Sequence, residues 1–103
     1  MTVQNDKFLK MLGLATRAGR LCFGEGAVGD SIRQGKASLV IVSADASENT
    51  KKKFRDNCSF YKTELVEIAD RYALGAACGR AFAVVLSVCD QGFAKKLQEI
   101  LQD

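Results

Sequence analysis

Two short β-branched apolar runs, Leu39-Val40-Ile41-Val42-Ser43 and Phe82-Ala83-Val84-Val85-Leu86-Ser87-Val88, are each flanked by sequence of helical periodicity. That alternation limits the fold more than any other feature. Such runs fill strands buried on both faces, and helices laid over each face supply the burial. Leu65-Val66-Glu67-Ile68 reads as a third strand and Leu21-Cys22-Phe23 as a short fourth. Phe8, Met11, Leu12 and Ala15 repeat at helical spacing, with Asn5 or Asp6 placed to cap that helix and Gly19 to end it. A second helix is predicted over Glu25–Gln34, with Val28 and Ile32 on one face and Gly35 as its left-handed end. Asp45 or Ser47 can cap a basic helix running through about Asn57. Asp70 can cap a fourth helix that reaches about Cys78 and closes at Gly79. Asp90-Gln91-Gly92 turns into a last helix, with Phe93, Leu97, Ile100 and Leu101 inward. Proline is absent, so glycine supplies the punctuation.

Strands that alternate with helices build a largely parallel sheet, because each crossover lays a helix on the sheet. A chain of 103 residues suits one domain, 1–103, with one sheet. The expectation is an α/β fold, a three-layer α/β/α sandwich with about four strands. In such sheets ligands meet the loops at one end of the strands. The Gly24, Ala44–Glu48 and Ile68–Arg71 turns are therefore expected to lie close together.

Composition removes several function classes. There is no histidine, so the commonest metal ligand and general base are missing. Cys22, Cys58, Cys78 and Cys89 contain no pair at the two-residue spacing of a redox or zinc motif, and they read as buried reduced thiols. No paired-carboxylate site or nucleophile elbow is evident. No enzyme activity, metal or cofactor is expected. No apolar run approaches the roughly 20 residues of a membrane span. Met1–Lys7 lacks the apolar stretch of a secretory signal, so a cytoplasmic location is expected. The net charge of +3 permits a polyanionic partner without demanding one. Lys51, Lys52, Lys53, Arg55 and Lys62 stand against only Glu48 and Asp56, and Arg17, Arg20, Arg33 and Lys36 form a second basic set. The plainest reading of the triple lysine is a solvated helix face.

Gly24-Glu25-Gly26-Ala27-Val28-Gly29 spells G-x-G-x-x-G after a possible strand, with Asp45 following 16 residues beyond Gly29. This is the pattern of a dinucleotide site, where a helix N-terminus holds a pyrophosphate. However, the chain is too short for both mononucleotide halves of that fold. The same geometry serves RNA. Unpaired helix N–H groups and a positive dipole end face the ligand, glycines allow close approach, and nearby cations add salt-dependent attraction. Glycines that merely allow close helix–sheet packing are the third reading.

Ile32-Arg33-Gln34-Gly35-Lys36-Ala37 followed by Leu39-Val40-Ile41 resembles the signature of the ribosomal-protein L-seven-Ae and L-thirty-e superfamily. Leu74-Gly75-Ala76-Ala77-Cys78-Gly79 and the apolar run from Phe82 resemble its second signature. Met11–Gly19, Ser43–Lys53 and Asp90–Lys96 are similar to the bacterial YlxQ-type branch. The resemblance covers nearly the whole chain. It implies a three-layer α/β/α sandwich with a central, mostly four-stranded mixed sheet. It also implies binding to kink-turn RNA, a sharply bent internal loop with tandem sheared G·A pairs, and a link to the ribosome and translation. Ribosomal RNA is one such partner, and the chain is expected to act as a monomer.

The resemblance places Gly24, Glu25, Gly26, Ala27 and Asp30 at the RNA groove. Ile68, Ala69, Asp70, Arg71 and Tyr72 fall over a flipped-out base, with Leu74 and Gly75 behind them. Arg33 and Lys36 are the nearby cations. In the family an Asn-Glu pair stands where this chain has Gly26 and Ala27, and a lysine is common at Asp30. These departures remove the side chains expected to read the G·A edges. They leave open a protein-interaction module that keeps the fold without standard kink-turn recognition.

Overall fold

The computed structural model describes residues 3–102. The elements are α1 (Val3–Arg17), β1 (Leu21–Phe23), α2 (Glu25–Arg33), β2 (Leu39–Val42), α3 (Glu48–Tyr61), β3 (Glu64–Glu67), α4 (Arg71–Ala77), β4 (Val85–Val88) and α5 (Gln91–Gln102). The four strands form one sheet in the order β1-β4-β2-β3.

The sheet is mixed, and the largely parallel arrangement expected from alternation alone does not occur. Only β2 and β3 run parallel, while β4 lies between β1 and β2 and is antiparallel to both. The cause is α4. Its seven residues span roughly 10 Å at the usual helical rise, and the chain then doubles back through residues 78–84. β4 therefore starts at the sheet end where β3 finished, so no true crossover forms between them.

Side-chain alternation divides the core between two faces. Leu39 and Ile41 of β2 join Leu86 and Val88 of β4 under Phe8, Leu12, Leu74, Ala94 and Leu97, which come from α1, α4 and α5. Val40, Val42 and Val85 face the other way, under Val28 and Ile32 of α2 and Phe54 and Cys58 of α3. The three layers follow directly. Each such Val, Leu, Ile or Phe contributes about 1.5–3 kcal/mol by leaving water.

Several boundaries differ from expectation. Asn5 and Asp6 lie inside α1 rather than before it. α3 continues past Asn57 to Tyr61, where Lys62 takes the left-handed conformation at φ 58°. Ser47, not Asp45, caps α3 by accepting from the Thr50 N–H at 3.1 Å. The last strand begins at Val85, and residues 82–84 form a loop. Phe82 is 57% exposed, not a core residue. Gly19, Gly35 and Gly79 have positive φ where helix ends were expected.

Candidate nucleic-acid interface

β1, β2 and β3 all finish at the sheet end from which β4 starts. Backbone bonds join the loops there. The Gly24 N–H donates to Val85 O at 3.3 Å, Ser43 to Val84 O at 2.8 Å, Ala44 to Ala69 O at 2.7 Å, and Ala83 to Arg71 O at 2.9 Å. The three turns anticipated as neighbours thus form one surface, and residues 80–84 complete it. α2, α3 and α4 all begin here, so their positive dipole ends and unpaired N–H groups point to the same side.

Local conformation sets each part of this surface. Gly24 has φ 89° and ψ 156°, a region open essentially to glycine alone. Ala69 sits at φ 61°, uncommon for a residue with a side chain, and the Ala44 N–H fastens its carbonyl. Asp70 caps α4 by accepting from the Tyr72 and Ala73 N–H groups, both at 2.8 Å. Loss of such a cap costs about 1 kcal/mol. Asp70→Ala is therefore expected to lower the chemical-denaturation free energy by about that amount, with an unchanged slope against denaturant.

A cleft of about 480 Å³ opens between Phe23, Gly24 and Glu25 on one side and Arg80–Val85 on the other. The Arg80 guanidinium stacks 3.8 Å above the Phe23 ring. Tyr72, in the first turn of α4, and Phe82, in the loop before β4, are 66% and 57% exposed. Planar aromatic and guanidinium groups of this kind stack unpaired bases. Sequence reasoning missed Phe23, Arg80 and Phe82. The first and last were absorbed into apolar strand runs, although Arg80 directly after Gly79 was a visible signal. Leu74 is fully buried behind the loop, and Gly75 lies against the backbone of Phe82.

Charge is more balanced than composition suggested. Lys51, Lys52, Lys53 and Arg55 of α3 pair with Glu48, Asp56, Glu25 and Glu67 respectively. Lys53 reaches Glu25 at 3.0 Å, which offsets the carboxylate in the first turn of α2. Arg71 binds both the carboxylate and the carbonyl of Asp45. The Asp45 carboxyl is held below its ordinary range. The main cause is the Ser43 hydroxyl, which approaches it without closing a bond of ordinary geometry; Arg71 adds to the effect. Hydrogen bonding to Arg55 lowers Glu67 likewise. Exposed pairs such as these contribute about 0–1 kcal/mol, so a phosphate can exchange into them at low cost.

Gly24, Glu25, Ile68, Ala69, Asp70 and Arg71 therefore gather at this end, with Gly26 and Ala27 in the first turn of α2. Arg33 and Lys36 do not join them. Arg33 folds back over Gly29 and pairs with Asp30 on the outer surface of α2. Lys36 precedes Ser38, whose N–H donates to Val88 O at the opposite end of the sheet. The glycines of the G-x-G-x-x-G string also fail to act as a dinucleotide site would need. A Cβ on Gly26 would meet open space, one on Gly29 would meet only the tip of Arg33, and Asp45 is already held by Arg71. Among the described residues no group of three potential metal ligands occurs, and no helix is long and apolar enough to cross a membrane.

Comparison with known proteins agrees with this geometry. The RNA-binding protein YlxQ of Bacillus subtilis is 42% identical over 95 residues, covering 92% of this chain and 95% of its own. YlxQ of Enterococcus faecium is 40% identical over 97 residues, covering 94% and 93%. A solved Bacillus halodurans protein of unknown function superposes with a TM-score of 0.91 at 40% identity, covering 94% of this chain and 98% of that one. The model of the ribosomal protein L7Ae/L30e/S12e/Gadd45 family matches residues 6–98, and the chain belongs to that family.

Proposed function

We propose that the chain is a non-catalytic, cytoplasmic, monomeric RNA-binding module of ribosomal-protein type that recognises a kink-turn or a related bent RNA, including such elements of ribosomal RNA, and that it acts with the ribosome in translation. The observation that carries this reading is the cleft at the sheet end. There a glycine-shaped turn, Arg80 on Phe23 and the exposed Phe82 line one opening, at the sheet end where α2, α3 and α4 begin and where Tyr72 is exposed in the first turn of α4. A bent RNA presents what this surface takes: phosphates for the N–H groups and unstacked bases for the aromatic rings. Residues 68–72 and 80–84 would cover a flipped-out base, while the Gly24–Ala27 turn would lie along the groove.

The test is fluorescence anisotropy with a labelled kink-turn and a straight duplex of equal length. Preference for the kink-turn is expected. Three phosphate contacts would make affinity fall by roughly 40-fold between 50 and 200 mM salt. Equal affinity for both RNAs at low salt would remove the kink-turn reading.

A second reading, a protein-interaction module on the same scaffold, draws on the neutralised α3 face and on Gly26, Ala27 and Asp30 in α2. Ribosome association that survives RNase would favour it.

A further inference from the structure

Cys22 and Cys89 are 67 positions apart in the chain, yet their Sγ atoms lie 3.7 Å from each other. Cys22 is on β1, and Cys89 follows the end of β4 directly. The strand register sets Cys22 opposite Ser87, so Cys89 stands diagonally across on the same face. Both residues are half-buried, whereas Cys58 and Cys78 are buried in the two cores. Next to them, Ser87 Oγ lies 3.9 Å from Cys89 Sγ and 2.8 Å from Ser31 Oγ, and Ser31 in turn donates to Val28 O at 2.7 Å. Burial and the neighbouring Cys22 thiol push the Cys89 thiol up, and these hydroxyls offset part of that rise.

We propose that Cys22 and Cys89 are an oxidative modification site, which a hydroperoxide joins in a reversible intramolecular disulfide. One thiol attacks the peroxide O–O bond, becomes a sulfenic acid and releases water. The second attacks that sulfur, the S–O bond breaks, the S–S bond forms, and a second water leaves. Two thiols thus give up two electrons and two protons to one hydrogen peroxide.

The sulfurs must close by roughly 1.7 Å to reach disulfide length. β1 can supply that movement, because it is three residues long and pairs with β4 alone at the sheet edge. The cross-link would fasten the edge strand β1 to the far end of β4, at the sheet end opposite the cleft. Cys58 and Cys78 take no part, because each is buried in a different core, on opposite faces of the sheet.

The test treats the folded protein with hydrogen peroxide, unfolds it, and alkylates the remaining thiols with N-ethylmaleimide. Intact mass should show two adducts in place of four, and a peptide map should join the Cys22 and Cys89 peptides. Dithiothreitol should restore all four adducts. Oxidation should also raise the thermal midpoint of the native protein but not of Cys22→Ser. Four adducts after oxidation, a cross-link between other cysteines, or a cross-linked dimer would each overturn the proposal.

Discussion

Gly75→Ala is expected to lower the thermal midpoint by roughly 10 °C and to weaken RNA binding with it. Gly75 lies in α4, and by helix propensity alone alanine there should gain about 1 kcal/mol. Packing opposes that gain. An added Cβ would stand 2.5 Å from Phe82 Cα, 2.7 Å from its N and 2.8 Å from its C. These are backbone atoms, so no rotamer change relieves the clash. The loop cannot easily shift either, because Ala83 bonds to Arg71 and Val84 to Ser43 on its far side. Overpacking typically costs about 1–3 kcal/mol, and a rigid backbone neighbour sets the expectation at the upper end. A net loss of about 2 kcal/mol corresponds to the stated shift for a domain of this size. Gly26→Ala is the internal control, since its Cβ would meet open space on a helix. It should leave the midpoint unchanged or raise it. Circular-dichroism melts of both variants decide the matter, and a Gly75→Ala midpoint within two or three degrees of the parent would refute the packing argument.

The elements that the sequence disclosed best were those with the strongest local physics. β2 is buried at all four positions, and its β-branched run permits little else. The helix ends at Gly19, Gly35 and Gly79 were legible because left-handed termini select glycine. Strand direction was not legible from alternation. It depended on how far seven residues of α4 could carry the chain, and no residue pattern encodes that return. Phe82 was misread because apolar character indicates burial and base stacking equally well. For the site, the Gly24 and Ile68–Arg71 turns were recoverable from strand ends, whereas Arg33 and Lys36 were grouped by proximity in sequence. Nine residues of helix separate the two ends of α2, so that grouping did not survive folding. The balance of charge was also hidden, because Lys53 meets Glu25 from 28 positions away.

A triple variant, Gly26→Asn, Ala27→Glu and Asp30→Lys, is expected to bind a kink-turn RNA about a hundredfold more tightly than the parent. The family resemblance supplies the three side chains, and the structure supplies room for them. Gly26 faces open space, Ala27 is exposed, and Asp30 pairs with exposed Arg33. Folding should tolerate the changes: asparagine is no worse than glycine inside a helix, and a glutamate in the first turn suits the dipole. Each bidentate base contact is worth about 1–3 kcal/mol, so even one restored contact reaches one to two orders of magnitude. Charge and base reading can be separated. Asp30→Lys alone removes one negative charge, adds a positive one and releases Arg33. It should strengthen binding to the kink-turn and to a straight duplex alike, and steepen the salt dependence. Gly26→Asn with Ala27→Glu adds no cation, so any gain it gives should fall on the kink-turn alone. If that double variant leaves kink-turn affinity unchanged while its melting midpoint matches the parent, the first turn of α2 does not face the G·A pairs. The RNA would then have to be held by the Arg80–Val84 lip of the cleft.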